Sequence, residues 1–408
     1  MKVLLVTQYF WPEGFTINEL ATSLVKYGVE VKVLTGKPNY PEGKLYEGYR
    51  LFSLDEEARQ GVSIQRVPIV TRGIKNPIRL VLNYLSFIVS ACFFGPWLLR
   101  KYHPDVVFVY APSPLLQAIP ALLIGKLNKI PVVLYVQDLW PESLTATGYV
   151  QQKWIIKCVS WVVKHIYRSV DSILISSRSF EEPIRRFAAQ ALISYLPNSV
   201  DIAFTAPQVW DQVTPSVLDD GFVVIFAGNI GVAQAVWVMA DAADRLVDTY
   251  SDIKLVILGA GSELAWLKKQ KQEKKLANLH LLGRFPVEAM PLMLSKASAL
   301  LITLADQPIF AMTVPNKTQA YMAVGRPILA ALNGEGAKLV TEAKAGIAVA
   351  AEDPMALAEA IVHLYKMTEQ ERLEMGMNGK RFFLREFEQG KVSTALLDYL
   401  NQAVKEYK

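Results

Sequence analysis

The sequence predicts an α/β chain made of two Rossmann-like, doubly wound domains, each built on a parallel sheet. Three observations carry that expectation. Short apolar runs alternate with longer helical segments along the whole chain, and a run without a polar side suits a strand covered on both faces. At 408 residues the chain exceeds one typical domain. A turn-rich stretch, Pro197-Asn-Ser-Val-Asp201, followed by the irregular Ala206–Asp220, interrupts the alternation near the middle. Domains are therefore expected at 1–200 and 201–385, with 386–408 read as a helix crossing back to the first domain.

Each expected strand is a short apolar run bounded by polar or turn residues. In the first half these are Val3–Val6, Val31–Leu34, Ile64–Val67, Val106–Tyr110, Val132–Val136 and Ser172–Ile175. In the second they are Phe222–Phe226, Lys254–Leu258, Leu279–Leu282, Leu300–Leu304, Pro327–Ala331 and Gly346–Val349. No repeat with a period of 20–50 residues is evident. Two open sheets facing each other would hold a ligand in a central cleft at their carboxyl ends.

Composition narrows the function. An apolar fraction of 52% against 20% charged residues describes a globular protein with large cores. Cys92 and Cys158 sit in apolar stretches, which suits a reducing, cytoplasmic compartment better than a disulfide scaffold. The opening Met1–Val6 runs into Trp11-Pro-Glu13 and reads as a first strand, since a secretory leader needs a longer apolar core. The formal charge of +5 conceals an asymmetry: residues 1–200 hold 22 Lys/Arg against 14 Asp/Glu, and residues 201–408 hold 21 against 24. The basic half has reason to face an anion. No basic-aromatic platform or recognition-helix pattern accompanies it, so a membrane surface is expected and nucleic acid is not.

Two segments bear on the membrane. Leu80–Leu99 is uncharged between Arg79 and Arg100, long enough to span a bilayer. Asn83, Ser86, Ser90 and Gly95-Pro96 interrupt it, and a buried or interfacial helix is expected. In Tyr149–Arg168, helical phasing gathers Lys153, Lys157, Lys164 and Arg168 on one side, with Trp154 and Trp161 beside them. That pattern fits either an interfacial helix or a core-facing helix with a solvated basic face.

The residues that carry chemistry follow strands. Thr313–Pro327 comes after Ala299–Leu304 and opens a helix, with Pro315 at its start, Asn316 as the expected cap and Lys317 in the first turn. Such an end favours a phosphate. Ala227-Gly-Asn-Ile-Gly231, Gly259-Ala-Gly-Ser-Glu263 and Gly283-Arg284 each follow a strand, and each glycine lets main chain approach a ligand. Together they point to a nucleotide or diphosphate site; no Gly-x-Gly-x-x-Gly marks a dinucleotide site. In the first half, Thr7–Glu19, Asn39-Tyr-Pro-Glu-Gly43 and Gln137-Asp-Leu-Trp-Pro-Glu142 would line the opposite wall. Aromatic rings beside carboxylates and amides suit sugar binding there, while Asp138 and Glu142 equally suit capping of the next helix. The histidines at 103, 165, 280 and 363 are isolated, so no metal site is expected.

These motifs together resemble the retaining GT-B glycosyltransferases of family four, over essentially the whole length. The resemblance rests on Tyr9–Glu13, Pro38–Gly43, Gln137–Glu142, Leu196–Asp201, Phe226–Gly231 and Pro315–Pro327, and is greatest toward the L-fucosamine transferase-like branch of surface-polysaccharide enzymes. It implies a nucleotide-sugar, UDP-linked, in the C-terminal domain, contacting Gly228, Asn229, Gly231, Gln234, Gly283, Arg284, Val314, Pro315, Asn316, Lys317 and Gln319. It implies a polyprenyl-diphosphate-linked saccharide near Glu13, Gly14, Asn39, Gln137, Asp138 and Glu142, with Asp138 and Lys317 closest to the chemistry. Metal-independent transfer without a cofactor, and a cytoplasmic protein peripheral to the inner face of the cell membrane, complete the implication. The departures are specific. The family's diphosphate-binding Arg and Lys are Asn229 and Gln234 here, its paired Glu positions are Met312 and Ala320, and a frequent His is Gln137. A catalytically silent GT-B protein that binds lipid-linked sugar or a partner enzyme is the alternative, and a nucleotide-sugar epimerase a weaker third.

Overall fold

The computed structural model describes residues 1–73, 76–146, 152–205, 210 and 213–407. Tyr149, where the basic helix was expected to begin, and part of the Ala206–Asp220 segment lie outside the described residues. The chain divides into two compact units, Met1–Ser199 with Gln389–Lys408, and Val200–Glu388.

The first unit is an eight-stranded sheet. Its strands are β1 (Lys2–Val6), β2 (Glu30–Thr35), β3 (Asp55–Arg59), β4 (Val62–Arg66), β5 (Val106–Ala111), β6 (Val132–Val136), β7 (Ser172–Ile175) and β8 (Ile193–Tyr195). They stand in the order β3-β4-β2-β1-β5-β6-β7-β8, and only β3 and β4 pair antiparallel. The helices are α1 (Ile17–Lys26), α2 (Pro77–Leu98), α3 (Ala118–Asn128), α4 (Glu142–Ala146), α5 (Lys153–Ser169) and α6 (Glu181–Phe187). β5 and β6 are buried along their whole length, as strands with helices on both faces must be.

The second unit holds β9 (Phe222–Ala227), β10 (Ile253–Leu258), β11 (Leu279–Gly283), β12 (Ala299–Thr303), β13 (Ile328–Ala331) and β14 (Gly346–Val349). Their order is β11-β10-β9-β12-β13-β14, all parallel. Around them run α7 (Val236–Leu246), α8 (Leu264–Glu273), α9 (Met290–Ser295), α10 (Pro308–Met312), α11 (Asn316–Val324), α12 (Glu335–Glu342), α13 (Pro354–Lys366) and α14 (Glu369–Glu386). The period-2 geometry of a strand explains why β9 has no polar side. Phe222, Val224 and Phe226 enter one core with α7 and α13, while Val223 and Ile225 enter another with α9 and α11. The last helix, α15 (Gln389–Tyr407), packs Val392, Leu396 and Leu400 into the core of the first unit, beside α1.

Two strands lie outside the expected set. β3 is Asp-Glu-Glu-Ala-Arg on the sheet edge with little burial, and a charged edge strand carries no apolar signal. It forms a hairpin with β4 through Gln60 and Gly61, both at positive φ, the conformation a two-residue turn of this hand requires. β8 is only three residues long.

The uncharged segment after Arg79 forms α2. Pro77 opens it and Asn76 caps it, its side chain accepting the Arg79 N–H at 3.0 Å. A core helix would bury both sides; α2 buries only Asn83, Phe87, Ala91 and Gly95. By length and composition it could cross a membrane.

Candidate active site

In the second unit the glycine turns interlock. The Gly228 N–H donates to Leu258 O at 2.8 Å and the Gly259 N–H to Gly283 O at 2.7 Å. The Ile230 N–H reaches Ala260 O at 2.9 Å, and Glu263 N–H returns to Ile230 O at 3.0 Å. Side chains would separate these loops: a Cβ on Gly259 would fall 1.8 Å from Gly228 O, and one on Gly261 2.1 Å from Ile230 O. The loops after β9, β10 and β11 therefore form one surface of closely packed main chain at the carboxyl edge of the sheet, where α/β sheets bind ligands.

Lys317 reaches this surface from the first turn of α11. Its Nζ lies 3.6 Å from the centroid of the Phe226 ring, and a Cβ on Gly228 would be 2.9 Å from that Nζ. Lys317 as a residue is half-buried, but its ammonium is cut off from solvent, and Nζ has no hydrogen-bond partner among the described residues. Burial pushes its pKa down from 10.5 to about 7. Thr318 Oγ1 and Gln319 Oε1, the next two residues, are likewise buried without a partner. Buried polar atoms are ordinarily satisfied. Two of them, the Lys317 ammonium and the Thr318 hydroxyl, can donate from the first turn of a helix and point to an anionic ligand, whereas Gln319 Oε1 can only accept, as from a ligand hydroxyl.

The other residues expected to contact the donor lie on the strand-end turns and around the start of α11. Asn229 Nδ2 donates to Gln234 Oε1 at 3.4 Å, so the two neutral side chains in place of Arg and Lys contact each other across Gly231. Gln234 O accepts the Thr303 hydroxyl at 2.6 Å, tying the turn to β12. Arg284 is exposed, Val314 is buried and Pro315 half-buried. Asn316 is not the cap: Pro315 occupies that position, Asn316 is the first helical residue, and no side chain caps the helix. Proline fixes the entry angle but offers no side-chain acceptor, and the Thr318 N–H donates instead to Pro315 O at 2.8 Å.

The first unit carries a second polar group. Glu13 is 1% exposed and clasps the next loop, its Oε1 accepting the Asn39 and Tyr40 N–H groups at 2.8 Å each. Burial outweighs these bonds and raises its pKa to about 7. Gly14 beside it is exposed. Stacked Tyr9 and Phe15, with Tyr40 tilted against both, form an aromatic wall next to Glu13.

Gln137, Asp138 and Glu142 lie beyond the end of β5, on the loop after β6 and the start of α4. Burial lifts the Asp138 pKa to about 6, opposed by hydrogen bonds from Ser143, Trp140 and the Leu139 N–H. Asp138 is thus held by its own turn at the head of α4. Gln137 Nε2, Glu142 Oε2 and the Tyr167 hydroxyl are buried without partners among the described residues. The prolines of these loops, Pro12, Pro41, Pro114 and Pro141, all follow cis peptide bonds.

Comparison with known proteins decides what this arrangement is. The family described as Glycosyl transferase 4-like domain matches residues 14–199, and Glycosyl transferases group 1 matches residues 221–367. The chain is a GT-B glycosyltransferase. Two curated relatives carry provisional names as glycosyltransferases. WcaI of Escherichia coli strain K12, named for colanic acid biosynthesis, is 25% identical over 340 residues, covering 80% of this chain and 82% of its own. WbjE of Pseudomonas aeruginosa is 24% identical over 302 residues, 70% of this chain and 72% of its own. Among solved structures, sucrose-phosphate synthase from Thermosynechococcus elongatus superposes with TM-score 0.75 at 15% identity, covering 98% of both chains. HepE of Anabaena in complex with UDP superposes with TM-score 0.69 at 13% identity, covering 98% of this chain and 100% of its own.

Several residues at these centres escaped the sequence reading of the glycosyltransferase. Phe226 floors the Lys317 ammonium, and the Tyr321 hydroxyl accepts the Ala227 N–H at 3.0 Å, pinning α11 to the glycine turn. Both lie inside apolar runs, where an aromatic residue looks like core. The sole available signal was position: Phe226 stands two residues before Gly228, and Tyr321 one helical turn after Lys317. Tyr167, between Ile166 and Arg168, lies on the buried side of α5.

Proposed function

We propose that this glycosyltransferase moves a sugar from a UDP-linked donor to a polyprenyl-diphosphate-linked saccharide, with retention of configuration, at the inner face of the cell membrane. The observation that carries the donor half is Lys317, whose buried ammonium has no partner among the described residues, beneath glycine turns that expose main chain. HepE in complex with UDP-glucose, and the Escherichia coli trehalose-6-phosphate enzyme with a UDP-fluoroglucose, share the fold. The acceptor half rests on the Glu13–Asn39 clasp, the Gln137–Asp138 loop and the name of WcaI; the L-fucosamine transferase-like branch is the finer reading. In the reaction the anomeric bond to the diphosphate breaks, and a bond to the acceptor hydroxyl forms on the same sugar face. The hydroxyl proton leaves with the released UDP. Lys317 and nearby amides stabilise the charge developing on the diphosphate, the contribution that dominates such transfers. Asp138, close to the acceptor, orients the hydroxyl.

A panel of nucleotide-sugars tests the donor: UDP-linked N-acetylaminosugars should raise the melting temperature more than GDP- or dTDP-linked ones. Transfer from the stabilising donor to a prenyl-diphosphate-linked saccharide should yield a product whose anomeric proton coupling matches the donor's. An inverted product would reject retention, and stabilisation by another nucleotide alone would reject UDP.

The missing carboxylate gives a second prediction. Gln319 and Gln234 offer neutral hydrogen bonds, roughly half as strong as charge-assisted ones. Ala320 is half-buried in α11, where the family places a Glu. Ala320→Glu is expected to tighten UDP binding by about fivefold or more, as a charged hydrogen bond to ribose is worth ~1.5–3 kcal/mol before desolvation. Calorimetry on both proteins checks this; unchanged or weaker affinity would show that the ribose lies elsewhere.

A further inference from the structure

α2 has two apolar sides and packs only one. Asn83, Phe87, Ala91 and Gly95 face the unit's interior, and a Cβ on Gly95 would meet Leu34 at 3.2 Å and Ile124 at 3.3 Å, so the helix sits close. Along the other side Ile78, Leu82, Leu85, Val89, Phe93 and Trp97 recur every three or four residues and are 46% to 75% exposed. Single exposed apolar side chains are ordinary, but a continuous row along a 22-residue helix marks an interaction site. Beyond Arg79, next to its first residue, the segment carries no charge until Arg100.

The neighbouring helices supply the complement. α3, packed against α2, exposes Leu127 between Lys126 and Lys129. α5, packed against α3, exposes Trp154 and Trp161, and its Lys153, Lys157, Lys164 and Arg168 are all exposed. Apolar stripe, tryptophans and bordering cations are what a helix needs to lie at the boundary between acyl chains and anionic headgroups.

The inner side of α2 ties this face to the acceptor loops. Asn83 Oδ1 accepts from Gln8 Nε2 at 2.7 Å, and its Nδ2 donates to Val70 O at 2.6 Å and lies 3.4 Å from Asn39 Oδ1. Asn39 is the residue whose N–H Glu13 holds.

We propose that α2 is the membrane-docking element: its outer row inserts into the headgroup boundary of an anionic bilayer, and its inner side holds the acceptor loops at that surface. This deepens the membrane-linked acceptor reading and rests on it. It assigns attachment chiefly to apolar insertion by α2, with the α5 stripe adding a salt-sensitive part.

The test uses the full chain and flotation with vesicles of equal parts phosphatidylglycerol and phosphatidylethanolamine, or of phosphatidylcholine alone. The parent should float with the anionic vesicles, and part of the binding should survive high salt, which screens charge but not insertion. Val89→Gln with Phe93→Gln, both on the exposed side, should bind at least about tenfold more weakly at either salt. Glu at all of 153, 157, 164 and 168 should weaken binding at low salt only. Brominated lipid should quench parent fluorescence, and less so for Trp97→Phe, a readout that does not depend on the double variant folding. Equal flotation of the Val89/Phe93 variant, no flotation of the parent, or a parent dimer that this variant dissociates would each overturn the proposal. Transfer to a short-chain, water-soluble acceptor should be unchanged in the Val89/Phe93 variant, while transfer to a vesicle-embedded acceptor falls. A parent that floats yet transfers to neither acceptor would count against the acceptor reading and leave α2 docking standing.

Discussion

Lys317→Ala is expected to lower the transfer rate by about 10²–10³, the loss typical of one preorganised group that stabilises charge in the transition state. Lys317 Nζ is enclosed by Phe226 and the Gly228 turn, and no described residue accepts its hydrogen bonds. A lysine held for structure would have a carboxylate beside it, as Lys37 has Asp55 and Lys274 has Asp241. Lys317 is instead held where ionisation is costly until an anion arrives. Stability should move the other way from activity: the variant removes a buried, unpartnered amine, so its melting temperature should stay level or rise. Turnover within about threefold of the parent, far short of that range, would exclude Lys317 from the chemistry.

Gly259→Ala should be the most damaging single methyl group in the second unit's site. Gly259 has φ +151, and its added Cβ would lie 1.8 Å from Gly228 O, so either the glycine turns separate or the backbone strains. Each effect costs about 1–3 kcal/mol. For a unit the size of Val200–Glu388, where each kcal/mol is worth about 2–4 °C, that should lower the melting temperature by about 2–12 °C. Because the displaced carbonyl belongs to the loop above Lys317, UDP affinity should fall with it. Gly14→Ala offers the control: a Cβ there meets nothing within 4 Å, and the melting temperature should hold. A Gly259 variant as stable as the parent would mean that the interlocked turns are looser than their geometry implies.

The fold was legible because burial on both faces writes itself as uninterrupted apolar sequence. Every run expected as a strand, from Val3–Val6 to Gly346–Val349, falls on a strand of the structure. β3 was illegible for the converse reason: an exposed edge strand of Asp, Glu and Arg has no apolar period. At the site, the residues with unusual backbone needs could be read. Gly228, Gly259 and Gly283 all have positive φ and lie together. Side chains whose role depends on distant partners could not. Phe226 becomes a floor only once α11 brings Lys317 over it, and Asn83 becomes a tether only once α2 meets the loops at Gln8 and Asn39. The Asn316 cap was misplaced by one residue, because the sequence shows a good capping side chain but not which residue turns helical first.

The Lys317 pKa also sets how pH acts. In the ligand-free chain it lies at about 7, against 10.5 for an ordinary lysine. Between those values the unfolded chain binds a proton that the folded chain does not, so this group's share of stability rises with pH across the window. Below about pH 7 the burial cost of the ammonium is fully present. A bound diphosphate reverses the preference by stabilising the charged form. UDP binding at a pH one to two units above 7 should therefore draw a proton from solution.

Calorimetric titration of UDP, in buffers of different ionisation enthalpy at about pH 8.5, measures that proton directly. The glycosyltransferase should take up close to one proton per UDP, with affinity falling as pH rises, and Lys317→Ala should bind more weakly and take up none. Absence of binding at millimolar UDP, or binding with no proton uptake and no change in Lys317→Ala, would contradict a donor site built on Lys317.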